Sequence, residues 1–110
     1  MIEIFDNYMM ARVEDDSRVF EVNFDKVKVD DVTLSFHKNG ERVGSIYNDD
    51  GTERLMARLE TKGKEDFIST KVSKEFVKTI LEQAEEKGFL TNGSSSPKAY
   101  KTRIGIKLEK

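Results

Sequence analysis

Val32 to Tyr47 constrains the fold more tightly than any other stretch of the chain. Val32, Leu34 and Phe36 alternate with Thr33, Ser35 and His37. Asn39-Gly40 follows, and then the strand-like run Arg42 to Tyr47. Both central residues of a two-residue hairpin loop of this kind need positive φ, which Asn and Gly tolerate, so the segment predicts a β-hairpin with a tight turn. With Asn39-Gly40 as the loop, Phe36 is expected opposite Val43 and Val32 opposite Tyr47.

A hairpin alone is marginal in water and needs further strands or a helix on its apolar face. The same period-two signal recurs on both sides. Phe20, Val22 and Phe24 are spaced two apart, with Glu21 and Asn23 between them. Tyr8 to Glu14 is a candidate partner strand, with Asp15-Asp16-Ser17 as the turn. Residues 2–9 fit either a short helix or a strand. Val27 and Val29 alternate one residue out of phase with Phe24, so the chain either bulges at Asp25-Lys26 or starts a new strand there. Leu55, Ala57 and Leu59 form another alternating run, and Phe67 to Val72 is short and β-prone. Turns are expected at Asp30-Asp31, at Asn48 to Gly51 and at Gly63 to Asp66.

One helix stands out. Ser73 is a good N-cap, and Phe76, Val77, Ile80, Leu81 and Ala84 recur at helical spacing on one stripe. Gly88 supplies a left-handed C-terminal residue, with Phe89 beyond it. Residues 91–98, which include Gly93, three serines and Pro97, read as a flexible loop. Tyr100, Thr102, Ile104, Ile106 and Leu108 then alternate with Lys101, Arg103, Gly105, Lys107 and Glu109, which predicts a final amphipathic strand returning to the sheet. The expected architecture is α+β: a single domain over residues 1–110, an antiparallel meander of about six strands, one helix packed on the sheet, and the returning strand.

The chain has 110 residues and no Cys, so the apolar strand faces and the helix stripe must hold this fold without disulfides or thiolate zinc. Charged residues make up 36% of it, above the usual share of about 25%. No apolar run is long enough for a membrane span. The first residues show no basic region before an apolar stretch, so a cytoplasmic protein is the expectation. Charge is segregated: residues 1–50 hold 12 acids against 6 bases, whereas residues 88–110 hold 5 bases against 1 acid. This can mark a partner surface, or the two ends can pair within the fold.

Catalytic chemistry finds little footing. His37, the only histidine, lies beside the hairpin turn on the face opposite Leu34 and Phe36, with no nucleophile at a known spacing. The pairs Asp15-Asp16, Asp30-Asp31 and Asp49-Asp50 fall where turns are expected, and Asp favours turns for its own hydrogen bonds. No catalytic residue, cofactor or metal is therefore assigned. The binding candidates are Lys98, Lys101, Arg103 and Lys107, set on and just before the final strand. Such residues bind phosphate, but equally keep an exposed strand face soluble. The leading expectation is a small non-enzymatic regulatory module acting by protein–protein contact, like an inhibitor or immunity-type protein. The alternative is a nucleic-acid-binding domain using the basic final strand, which an isoelectric point near 5.5 disfavours. Pairing of an edge strand between two copies of the chain is a further expectation.

Overall fold

The computed structural model describes residues 1–48, 54–61 and 66–106. The expected turns at Asn48 to Gly51 and Gly63 to Asp66 fall largely outside these residues, as do Lys107 and the rest of the chain after it. Among the described residues there are nine strands, in two sheets, and two helices. The smaller sheet has the order β1-β2-β3, formed by Ile2–Ile4, Met9–Glu14 and Val19–Phe24, all antiparallel. The larger contains β4 (Lys26–Val29), β5 (Thr33–Lys38), β6 (Glu41–Asn48), β7 (Leu55–Thr61), β8 (Asp66–Lys71) and β9 (Leu90–Asn92) in the order β8-β7-β6-β5-β4-β9. Among the described residues, only the β4–β9 ladder is parallel. Helix α1 spans Lys74–Lys87 and α2 spans Pro97–Arg103.

The phase slip after Phe24 is the start of a new strand. Asp25 bends the chain out of the first sheet and into the second, and its N–H donates to the His37 carbonyl at 2.9 Å. The extra residue keeps Phe24 and Val27 both facing the interior, each fully buried. The small sheet and α1 therefore lie side by side on one face of the six-stranded sheet. Val27, Val29, Leu34, Phe36, Ile46, Ala57, Leu59 and Ile68 supply the buried face beneath them. Complete burial of the Val, Leu, Ile and Phe side chains among them contributes about 1.5–3 kcal/mol each, the scale on which a cysteine-free core must work.

The Asn39-Gly40 turn forms as its sequence requires, with φ of 52° and 82°. The register beyond it differs from the simple expectation. Lys38 faces Glu41 and His37 faces Arg42, but a bulge between Phe36 and His37 then sets Phe36 opposite Gly44 and Thr33 opposite Tyr47. Val43 is the extra residue, and Val32 is exposed ahead of β5. Close packing explains the choice of Gly44. A Cβ there would lie 2.8 Å from the Arg58 carbonyl oxygen and 2.8 Å from Leu59 Cδ2, so only glycine fits between Phe36 and Leu59.

Helix α1 has the ends its sequence predicts. The Ser73 hydroxyl accepts the Phe76 N–H at 3.1 Å. Gly88 adopts φ 76°, and Phe89 N–H donates to the Ala84 carbonyl. Val77, Ile80, Leu81 and Ala84 are buried.

The C-terminal expectation needs two corrections. Residues 91–98 are not one loop: Thr91 and Asn92 belong to β9, Asp30 accepts the Ser94 N–H at 3.1 Å, and Ser96 is a helix cap. The expected final strand is helix α2 from Pro97 to Arg103. The Ser96 hydroxyl accepts the Ala99 N–H, and Pro97 occupies the first turn, where its missing donor costs nothing. Tyr100 and Ile104 fit both periods, because residues four apart share a face in a strand and in a helix. The Ser96-Pro97 pair decides between them. Tyr100 is fully buried, its hydroxyl meets no hydrogen-bond partner among the described residues, and burial pushes its pKa well above the ordinary tyrosine range.

Two outcomes are expected in denaturant titrations. Gly44→Ala lowers stability by about 1–3 kcal/mol through overpacking, with an unchanged denaturant slope. Tyr100→Phe removes an unsatisfied buried hydroxyl and raises stability by about 1 kcal/mol.

Candidate functional site

Of the four basic residues singled out from the sequence, the three that are described, Lys98, Lys101 and Arg103, do not share one face. In α2 successive side chains turn about 100° around the axis, so Lys101 and Arg103, neighbours on a strand face, point to nearly opposite sides. Lys98 and Arg103 border one depression beside Ala99 and Thr102, and Lys101 is not among the residues lining it. Arg103 is also committed within the fold: Nη1 donates to the Asp31 carbonyl and lies 3.6 Å from the Asp31 carboxylate. Here a base of the C-terminal part pairs with an acid of the N-terminal half. Lys107 lies outside the described residues.

The acidic pairs serve turns where they are described. Asp15 Oδ1 accepts the backbone N–H of Ser17 at 2.9 Å and of Arg18 at 2.8 Å. Those bonds, the Ser17 N–H foremost, hold its carboxyl below the ordinary range despite some desolvation. Asp30 fastens Ser94, and Asp31 receives Arg103. Asp49-Asp50 lies outside the described residues. His37 is half-buried on β5, with Nε2 shielded and unpaired among the described residues. Among the described residues, no group of three or more His, Asp or Glu side chains could hold a metal, and no helix is long and apolar enough to cross a membrane.

The face of the six-stranded sheet turned away from the small sheet and α1 carries the unexpected feature. Residues directly opposite one another share a face. One row runs Lys28, Ser35, Ser45, Arg58, Ser69 across β4 to β8, and Thr91 on β9 extends it beyond Lys28. A second runs Thr33, Tyr47, Met56, Lys71. Lys26, His37 and Arg42 form a third, and Glu60 and Phe67 a fourth. Among the described residues, this open face gathers Lys26, Lys28, Arg42, Arg58 and Lys71 against one carboxylate, Glu60. Glu60 sits 3.5 Å from Arg42 and 3.2 Å from Arg58. Lys26, Lys28 and Lys71 have no carboxylate partner among the described residues.

The face is ordered as well as charged. The Arg58 guanidinium stacks 3.8 Å from the centre of the Phe67 ring, which is 42% exposed. Tyr47 and Ser69 hydroxyls bond at 2.8 Å. Ser35 and Ser45 lie between Lys28 and Arg58 in their row. The sequence carried a signal for this surface: Lys26 and Lys28 alternate with buried Val27 and Val29, and Arg58 separates buried Ala57 and Leu59. Only the strand order needed to gather them was lacking.

The chain matches no protein-family model, no curated protein and no solved structure.

Asp15 gives a pH-dependent outcome. Its lowered native pKa means that its stabilising bonds are complete above the ordinary carboxylate value of about 3.9 and are lost as pH falls through the lowered one. The protection of the Ser17 and Arg18 amides, taken relative to intrinsic exchange at each pH, should therefore fall on acidification, and Asp15→Asn should flatten that dependence.

Proposed function

We propose that this chain is a non-enzymatic binding module that acts by contact with a partner protein, in the manner of an inhibitor or immunity-type regulator. The open basic face of the six-stranded sheet is its contact surface. The observation that carries this reading is the concentration of five cations around Tyr47, Met56 and Phe67 on one face of a chain whose net charge is −2. Aromatic residues, Met and Arg are enriched at the energetic centres of protein interfaces. The Arg58–Phe67 stack holds such a group in place before any partner arrives, which reduces the ordering cost of binding. The partner surface that fits is acidic, so association should be fast at low salt and slower as salt screens it.

A nucleic-acid ligand fits this face less well. One side of the Phe67 ring is covered by Arg58, the Tyr47 hydroxyl is bonded to Ser69, and the chain as a whole is acidic. The test is capture of partners by the tagged chain from its native cell, compared with Lys28→Glu/Arg58→Glu. A specific protein retained by the native chain and lost by the double variant is the expected outcome. Capture unaffected by the variant, or no protein captured, overturns the reading. Salt-sensitive binding to single-stranded oligonucleotides lost in the same variant would assign the face to nucleic acid instead.

A further inference from the structure

Strand β8 is an edge of the six-stranded sheet, and its edge is closed at one end and open at the other. Val72 N–H donates to the Leu55 carbonyl. In an antiparallel ladder such bonded pairs alternate, so Phe67, Ser69 and Lys71 turn their N–H and C=O groups outward. Phe67 is sealed. Its N–H donates to Asp66 Oδ1 at 2.8 Å, and its carbonyl accepts from Arg18 Nη1 at 3.1 Å. Charged residues that cap an edge in this way block strand addition. Ser69 and Lys71 receive no such cover from any described residue.

A cleft of about 500 Å³ opens beside Lys71. Thr70, Lys71 and Val72 line one wall and Arg12 and Glu14 the other, with Phe76 of α1 nearby. Val72 and Phe76 are half-buried and pack against the core. An outward row of alternating backbone donors and acceptors has one natural complement, another extended backbone.

We propose that an extended segment of the partner protein adds to β8 at Ser69 and Lys71, with a carboxylate residue and an apolar residue side by side. This rests on the protein-contact reading and specifies how the partner enters. The side chain opposite Thr70 shares the inward face of Ile68, Thr70 and Val72, so it enters the cleft towards Val72 and Phe76 and must be apolar. Its neighbour opposite Lys71 lies on the open face, where Lys71 has no carboxylate partner among the described residues, so it is Asp or Glu. The seal at Phe67 limits the ladder to the open half of β8. A second copy of this chain pairing β8 to β8 about Ser69 sets the sealed Phe67 opposite Lys71, and pairing about Thr70 sets Ser69 there, so neither register offers Lys71 a carboxylate.

The probe is a displayed library of random ten-residue peptides selected against the full chain. Enriched peptides should pair Asp or Glu with a neighbouring Val, Ile, Leu or Phe. They should slow amide exchange at Ser69 and Lys71. Lys71→Pro removes only an outward N–H from the backbone ladder and should weaken binding at least tenfold. Lys71→Glu keeps the backbone and should shift selection to Lys or Arg at the acidic position, which decides the matter even if the proline variant folds poorly. No enrichment, equal binding to both variants, or protection confined to other strands overturns the proposal. If native capture is lost in Lys28→Glu/Arg58→Glu but survives Lys71→Pro, protein contact stands and strand addition falls. If no protein is captured at all, the contact reading itself falls.

Discussion

Phe24 and Phe36 stack with ring centres 4.7 Å apart, where the two sheets meet. Everything else in the architecture depends on that meeting. Phe24 is the last residue of β3, and one residue later Asp25 turns the chain into the second sheet. A sheet has two faces, and this protein needs one of them dry. The single-residue slip at Asp25 lets β3 and β4 face the same interior from different layers. Without it, Val27 and Val29 would point to the wrong side, and the larger sheet would have no covered face.

Covering one face exposes the other. The small sheet and α1 fill the inner side, so the outer side of a six-stranded sheet is left to polar and charged residues. Solubility alone would be served by a mixture of signs. Lys26, Lys28, Arg42, Arg58 and Lys71 against Glu60 are not a mixture, and the other acids among the described residues sit in turns, on α1 and at strand positions outside these rows. The strand pairing makes this bias spatial.

Where local chemistry decides, the residues announce the outcome. Asn39-Gly40 sets its turn, Ser73 and Gly88 end α1, and the alternation of Phe20 to Phe24 gives a strand with the expected face buried. Where two periods coincide, they do not: Tyr100 and Ile104 satisfy a strand and a helix alike, and the Ser96-Pro97 start signal outranks the alternation beyond it. Where a contact is distant in sequence, pattern is silent. Gly44 shifts the hairpin register because Leu59 and the Arg58 carbonyl crowd it from β7, and nothing within the hairpin reveals that. The candidate surface was hidden for the same reason. Each of its residues was visible as the exposed phase of a strand, but strand order brings them together. The basic tail drew attention because its charges were adjacent in sequence, and the helix that replaced the strand separates them.

Strand β9 has a consequence in time. It pairs parallel to β4, joining Val27 to Leu90 and Val29 to Asn92. Sequence separation of this kind closes a long loop, which is an entropically slow step. During synthesis, β4 to β8 can assemble through neighbouring hairpins, while β4 must wait with one edge bare until α1 and then β9 leave the ribosome. The nascent chain is thus most prone to mispairing at Val27 to Val29. The lysines at 26 and 28 flank that short apolar strand throughout the wait, and their charge discourages another chain from taking the place of β9.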